Sequence, residues 1–436
     1  MKHIRMTWII GFLILFVSGT HAQNVDSPYQ VGTWQGFRSA AVSFTFDDGC
    51  ANQFAEVLPM FNEYGFKLTL FTVVSWAPDW SALQTAASQG HEIASHTVTH
   101  ANLSTVSTAD QIAELQNSRD AIDAHITGQK CLTVAYPYCV PDTSNVCSQF
   151  YLAARGCSGA IEPSTPANFM NISSFVCGSL SAIQTPQDFN AKAAEAAGSK
   201  GWVVFLLHGI DNDGGYSPTT SANLKGALDS MKAHTDTYWV APFGTIARYI
   251  KERNAVRVKE TSSTDSSITV RISESLDISV FNIPVTIRRP LPQGWESASV
   301  YRNGKPVAGR VIDVGNSKNV IFDVVPDSAE ISIQKAEVTS TTGSLDVFPG
   351  KPELLQNYPN PFNPTTVVSG QLTADSWMRL VVFDNLGRQV AALADGRYPA
   401  GKFTFTFNGS GLASGVYFCR LTAGEYSAAK AMLLVR

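Results

Sequence analysis

The alternation of apolar and polar positions divides the chain into two kinds of pattern. From about residue 35 to 253, short apolar runs alternate with longer amphipathic segments. "AAVSFTF", "KLTLFTVV", "HEIASH", "LTVAYPY" and "WVVFLLH" read as strands. "QFAEVLPMFNEYG" and "WSALQTAASQG" read as helices that end at glycine, and "TADQIAELQNSRDAIDAHI", "NVCSQFYLAARG" and "GTIARYIKER" continue the helical series. Strict alternation of strand and helix builds a parallel sheet. About seven such units in some 220 residues predict an α/β fold closed into a (β/α) barrel rather than left as an open sheet.

After "KERNAVRV" the period shortens. "SSITVRIS", "IPVTIRR", "ASVYRNGKPV", "NVIFDVV" and "EISIQK" are strand-length runs separated by turn residues, with no helix-length segment between them. Residues 255–335 therefore read as a small antiparallel sandwich, following a barrel domain at 30–253. A Ser, Thr, Gly and Pro-rich stretch at 336–352 reads as a linker, and a second small all-β domain occupies 353–436.

The first residues, "MKHIRMTWIIGFLILFVSGTHAQ", have a positive start, a short apolar centre and then small residues. That is the order of a secretory signal peptide, residues 1–22, and its apolar part is short for an anchor. No later run approaches the ~20 apolar residues of a membrane span, so no transmembrane anchor is expected in the mature chain. The chain carries 32 basic and 36 acidic residues in no long single-sign run, which argues against nucleic acid as a partner. An exported chain also suits its cysteines, of which Cys50, Cys131, Cys139, Cys147, Cys157 and Cys177 cluster early and Cys419 stands apart. Six cysteines allow about 15 pairings. Cys131 and Cys157, read as the starts of successive strands at the same end of the barrel, are one candidate pair, and Cys50 with Cys139, beside the "YPY" stretch, is another. With no CxxC pair, disulfides outweigh a cysteine metal site.

The candidate chemistry lies at strand ends, where a barrel of parallel strands carries its active site. "AVSFTF" runs into Asp47 and Asp48. Successive side chains on a strand diverge, so one carboxylate can bind a cation while its neighbour faces substrate, and a cation relieves their repulsion. His96 and His100, four apart in "HEIASHTVTH", can reach one ion from a tight loop. Two imidazoles and a carboxylate form an open metal shell, with Zn2+ the first choice and Co2+ an alternative. His208 ends "WVVFLLH" at the same rim. His91, at the start of its strand, reads as structural.

In this order and spacing, "TFDDG", "HTVTH", "YPY" and "FLLH" resemble the polysaccharide deacetylases of carbohydrate esterase family four, which contain the NodB homology domain. The resemblance covers about residues 35–250. It implies a distorted (β/α) barrel, with Asp47 as general base, Asp48, His96 and His100 as ligands of a divalent metal, and His208 as general acid. Leu206 would line a pocket for the acetyl methyl, and Tyr138 would lend its backbone N–H to the oxyanion. Two features depart from the family pattern. Ala135 stands where an arginine orients the base, and no Asp-Trp pair fits the motif that tunes the acid histidine. Arg155, Asp211 and Asp213 are the charged residues nearest those two gaps and are candidates to fill them.

At the other end "NYPNPFNPTT", "VFDNLGRQV" and "LASGVYFCRL" resemble the C-terminal sorting domain of type IX secretion. This implies passage across the outer membrane of a Gram-negative cell to the surface or medium. The implied substrates are acetylated glycans: N-acetyl groups of chitin-like or peptidoglycan chains, or O-acetyl groups of xylan-like ones. The alternative is a surface glycan-binding protein on a degenerate esterase barrel. Trp295 and Tyr301 in the sandwich could stack on sugars, although a structural role is the simpler reading.

Overall fold

The computed structural model describes residues 24–336, 352–372, 376–398, 401–424 and 426–435, so the expected signal segment and nearly all of the linker lie outside the described residues. The chain divides into two compact units, with the boundary between Val338 and Thr339.

The first unit opens with two short strands, β1 (Asn24–Val25) and β2 (Gln30–Val31). The parallel strands β3 (Ala40–Asp47), β4 (Thr69–Thr72), β5 (Glu92–Ser95), β6 (Thr133–Ala135), β7 (Ala153–Arg155), β8 (Phe175–Val176), β9 (Trp202–Leu207) and β10 (Tyr238–Val240) follow. Helices α1 (Leu58–Tyr64), α2 (Trp80–Ser88), α3 (Thr108–His125), α4 (Pro186–Ser199) and α5 (Ser221–Ala233) lie between them, and α6 (Phe243–Ala255) comes last. The strands lie in the order β7-β6-β5-β4-β3-β9-β8, with β10 also on β3. One edge of β3 is shared: β10 pairs with Ala40–Val42 and β4 with Thr45–Asp47. The ring closes through a single bridge, Arg155 with Ile172, rather than a full ladder. This is the distorted α/β barrel that the pattern and the resemblance predict.

The period of two along β3 sorts its side chains. Val42, Phe44 and Phe46 belong to the outer core under the helices, where Phe44 meets Phe61 of α1 edge-on at 5.3 Å and Phe189 of α4 at 6.2 Å. Ser43, Thr45 and Asp47 alternate with them, and all three are buried. Ser43 donates to the Ala241 carbonyl and Thr45 to the Phe205 carbonyl, so the small polar residues are satisfied locally and Asp47 emerges at the strand's C-terminal end.

"NVCSQFYLAARG" is not the expected helix. Asp142 accepts the N–H of Val146 at 2.7 Å, one 3-10 turn spans Cys147–Gln149, and the chain then extends into β7. A turn set beside a strand imitated helical spacing, and the difference places Arg155 on a strand end. Helix α4 is not among the expected helices, although Thr185 and Asp188 form a capping box with Pro186 in the first turn.

The region 255–335 is an antiparallel sandwich, but it does not stand apart from the barrel. β1 extends the edge of its six-stranded sheet beside Arg257, and β2 extends the edge of its four-stranded sheet beside Ile287. One apolar cluster runs from Ala41, Trp202 and Trp239 in the barrel through Phe243, Ile246 and Ile250 of α6 to Val258, Val285 and Ile287. Helix α6 is apolar on more than one face, so it must be covered from more than one side. Trp295 is buried and donates to the Asp265 carbonyl, which is a structural role.

The second unit has a three-stranded sheet, with Thr365–Leu372 between Glu353–Leu354 and Gly401–Asn408. Its four-stranded sheet contains Gln389–Tyr398, Ser376–Phe383, Gly415–Ala423 and Tyr426–Leu434. Leu380, Val382, Leu421 and Met432 lie in its own core.

At the seam of barrel and sandwich, Glu252 of α6 is fully buried and accepts the Ile283 N–H at 2.8 Å. Burial pushes its carboxyl up to about 8 from the ordinary 4.5. The folded chain therefore binds a proton that the unfolded chain has released, and the stability this provides is lost as pH rises from about 4.5 through about 8. In urea titrations the stability advantage of Glu252→Gln over the parent chain is expected to widen across that window; a constant difference would refute the assignment.

Candidate active site

Four strand ends bring the polar groups together. β3 delivers Asp47, and Asp48 then adopts φ +73°, a left-handed turn that sets the second carboxylate near the first. His96 follows β5. Thr97 and His100 are both left-handed, which folds the loop back so that the two imidazoles lie 4.8 Å apart. Glu114 of α3 holds that loop by accepting the N–H groups of Val98 and Thr99, each at 2.8 Å. His208 follows β9.

Asp48 Oδ1 lies 3.7 Å from Nε2 of both His96 and His100, and the three donor atoms fall within 4.8 Å of one another. His96 Nδ1 is 2.8 Å from the Ala135 carbonyl. A carbonyl only accepts, so Nδ1 carries the proton and the Nε2 lone pair points toward Asp48. Burial lowers His96 to about 4 and depresses His100 as well, which keeps both rings neutral. Burial, reinforced by the charge of Asp47, pushes Asp48 up to about 6, and its Oδ1 is buried without a hydrogen-bond partner. Two neutral imidazoles beside an orphaned carboxylate oxygen fit a divalent cation with open positions.

Arg155, at the end of β7, meets Asp47 Oδ2 at 2.5 Å, and both side chains are buried. The Phe71 ring lies 5.2 Å from the guanidinium. Burial alone would raise the Asp47 pKa; Arg155, His96 and His208 outweigh it and hold the carboxyl below its usual range. His208 Nε2 lies 3.8 Å from the same Oδ2, while Asp47 Oδ1 is buried and unpartnered. Arg155 thus supplies from β7 the cation that Ala135 on β6 does not.

Asp211 and Asp213 do not support His208. Asp211 accepts the Ser221 N–H at 2.9 Å at the start of α5, and Asp213 accepts the Gly215 N–H at 3.0 Å. His208 Nδ1 has no partner among the described residues; Tyr216 stands edge-on to its ring at 5.1 Å. Gln53 adds a contact that no sequence motif marks. This fully buried side chain donates to the carbonyls of Asp47 at 2.6 Å and His208 at 2.9 Å, pinning the ends of β3 and β9. Nothing in a helical segment distinguishes it in advance.

Asp47, Asp48, His96, His100 and His208 line a cavity of about 510 Å³ with Tyr138, Val176 and Leu206. A larger depression of about 710 Å³ lies beside Glu92 and His91. Glu92 is satisfied there by Thr69, Thr133 and the Gly244 N–H, and His91 Nδ1 accepts the Leu68 N–H, so this depression offers no free reacting group from either.

Residues 35–148 match the sequence profile of the polysaccharide deacetylases, and residues 356–435 match that of the secretion system C-terminal sorting domain. The chain carries a polysaccharide deacetylase domain and a secretion sorting domain. It is similar to gellan lyase of a Bacillus species, with 26% identity over 380 residues, 82% of this chain and 14% of that protein. It is also similar to a probable peptidoglycan-N-acetylglucosamine deacetylase of Arthroderma benhamiae, 35% identical over 101 residues, 22% of this chain and 23% of that one. The chain thus spans less than a quarter of either curated relative. Among solved structures it is similar to a family 4 acetyl xylan esterase from Clostridium thermocellum in complex with a cobalt ion. That likeness has a TM-score of 0.34 and 20% identity, covering 47% of this chain and 89% of that one.

The deacetylase domain has one disulfide among the described residues, Cys139–Cys157. Neither expected pairing forms. Cys131 precedes β6 and Cys157 follows β7, so they lie at opposite ends of neighbouring parallel strands. Cys139 and Cys157 both follow their strands at the same end. Cys50, Cys131, Cys147 and Cys177 are free thiols, and burial pushes Cys50 and Cys147 up to about 12. The bridge ties the Tyr138 turn to the strand end that bears Arg155. Peptide mapping without reductant is expected to join Cys139 to Cys157 and leave the other four free. Replacing both bridge residues by serine is expected to cost about 3 kcal/mol of unfolding free energy.

Proposed function

We propose that the protein is a secreted, metal-dependent deacetylase of acetylated polysaccharide or oligosaccharide. The observation that carries this reading is the convergence in one cavity of an open Asp48, His96 and His100 donor set with the Arg155-bound Asp47 and with His208. Nucleophile activation, oxyanion support and leaving-group protonation are the three needs of acyl-group hydrolysis, and the cavity has a group suited to each.

A divalent cation held by Asp48, His96 and His100, with Zn2+ the first choice, would polarise the acetyl carbonyl and acidify a water. Asp47, kept ionised by Arg155, takes the proton of the attacking water on its free Oδ1. Tyr138 offers its backbone N–H to the developing oxyanion from a turn braced by the disulfide. Leu206 and Val176 form an apolar wall for the acetyl methyl. His208, whose Nε2 lies 3.8 Å from Asp47 Oδ2, returns a proton to the departing sugar nitrogen or oxygen. The same residues serve N-acetyl and O-acetyl groups, so chitin-like, peptidoglycan and xylan-like chains are all candidate substrates.

The sorting domain supports delivery outside the cell, and among the described residues no helix is long and apolar enough to cross a membrane. We infer that residues 1–22 direct export and that the type IX machinery of a Gram-negative cell recognises the second unit.

Purified protein with added zinc or cobalt is expected to release acetate from at least one of acetylated xylan, chitooligosaccharides and peptidoglycan; release from none would overturn the reading. Asp48→Asn should lower the metal bound per chain. Asp47→Asn should keep the metal and lose turnover about 100-fold or more. Equal metal loss in the two variants would refute the division of roles. Arg155→Ala should keep the metal and slow turnover about 10- to 100-fold.

A further inference from the structure

Between the strands Ser267–Ser273 and Val285–Pro290 the chain reads "ESLDISVFNI", residues 274–283, and it folds over the C-terminal half of α6. Arg248 of α6 donates to the Val280 carbonyl and to the Asn282 side chain, each at 3.3 Å. One turn further along, Glu252 Oε1 accepts the Ile283 N–H at 2.8 Å. Glu274 opens the same segment. It follows Ser273, which pairs with Arg257 just past the helix end, and there the Val256 N–H donates to the Glu252 carbonyl at 2.8 Å. One glutamate from the helix and one from the strand end thus come near enough for the charge of Glu274 to act on Glu252.

The protein neutralises neither carboxyl. Glu252 is fully buried and its Oε2 has no hydrogen-bond partner among the described residues; both oxygens of Glu274 are also buried and unpartnered. Arg248 is the cation beside Glu252, yet its N–H groups go to Gly244, Val280 and Asn282, and neither glutamate forms an ion pair among the described residues. Buried carboxylate oxygens are normally hydrogen-bonded or paired, because an uncompensated one is costly. Burial accordingly pushes Glu252 up to about 8 and Glu274 up to about 7. Two protons would cancel the charge but would add donors that need acceptors. A single cation serves all three oxygens at once. Carboxylate oxygens and water, with neither nitrogen nor sulfur, suit a hard cation that tolerates an irregular shell, which is the character of calcium.

We propose that Glu252 and Glu274 bind a calcium ion that fastens the sandwich to α6, with water completing the oxygen shell. The ion would tie the last helix of the barrel to the segment that passes from one sandwich sheet to the other. Without the ion, protons take its place on Glu252. The lack of imidazole sets this pair apart from Asp48, His96 and His100, so the two places select different ions.

The test is calcium titration of the full chain after treatment with a chelator, read by calorimetry and by thermal unfolding. One calcium per chain is expected, with Kd about 10⁻⁴ M or tighter. At about 100 times Kd, calcium should raise the melting temperature of the barrel and sandwich by about 4 °C. Glu274→Gln and Glu252→Gln should each weaken binding at least about 10-fold and remove the shift, whereas Asp48→Asn should keep both. The stability advantage of Glu252→Gln in chelator should reverse when calcium is added. Parent protein that binds no calcium overturns the proposal, whether or not the variants fold. Binding that survives both glutamine replacements, or that Asp48→Asn abolishes, overturns it as well. None of these readouts uses acetate release, so the calcium site stands or falls independently of the deacetylase reading.

Discussion

The buried ion pair between Asp47 and Arg155 is the constraint around which the site is arranged. It spans the barrel from the end of β3 to the end of β7, and both partners are almost wholly shielded from water. Taking two charges out of water is expensive, and removing either partner strands the other, a loss of about 3–5 kcal/mol in comparable cases. The pair therefore serves position and ionisation state more than stability. It leaves Asp47 Oδ1 and Arg155 Nη1 without hydrogen-bond partners among the described residues, and Asp48 Oδ1 and His208 Nδ1 beside them are likewise unpartnered, although buried polar atoms are usually satisfied. Such orphaned atoms suit a cavity whose remaining hydrogen bonds are completed by water and substrate.

The backbone around that pair is held in conformations that isolated residues avoid. Asp48, Thr97, His100, Tyr138 and Cys139 all have positive φ, and none is glycine. Each such position costs about 1–3 kcal/mol and persists only where neighbours over-determine it. Those neighbours are visible. Glu114 grips the histidine loop, Gln53 clamps two strand-end carbonyls, and the disulfide closes the Tyr138 turn. Local strain thus traces to the need to aim several side chains at one point; Glu114 and Gln53 brace it from helical segments, and the disulfide from within the strand-end turns themselves.

Much of this was legible in the chain. The alternating strands and helices announce the barrel, and Asp47, Asp48, His96, His100 and His208 fall where their strands must end. What escaped the reading depends on contacts between distant segments. Arg155 could be named as a candidate, but a turn followed by a strand looked like a helix, so its aim could not be known. Gln53 resembles any polar residue of an amphipathic segment. Asp211 and Asp213 were near in sequence to His208 and were claimed instead by backbone N–H groups of their own loop. Cysteine pairing failed for the same reason: it depends on which end of a strand each residue occupies, and a misplaced boundary reverses that.

The sandwich at 255–335 shows how the barrel's two ends divide the work. Parallel strands place their C-terminal ends, with the clustered carboxylates and imidazoles, at one mouth, while α6 and the sandwich strands share an apolar cluster with Trp202 at the start of β9 and with Trp239 on β10. That cluster also holds Ala41, one residue into β3, so the strand that ends at Asp47 begins in the core shared with the sandwich. Strands β1 and β2 deepen the integration by giving the sandwich two of its edges from the N-terminal side of the barrel. The sorting unit is built differently. Its strands share a core of their own, in which Leu380 and Val382 of one strand meet Leu421 and Met432 of two others. Alternation along those strands, with every second side chain buried, is what lets so short a segment build a core of its own.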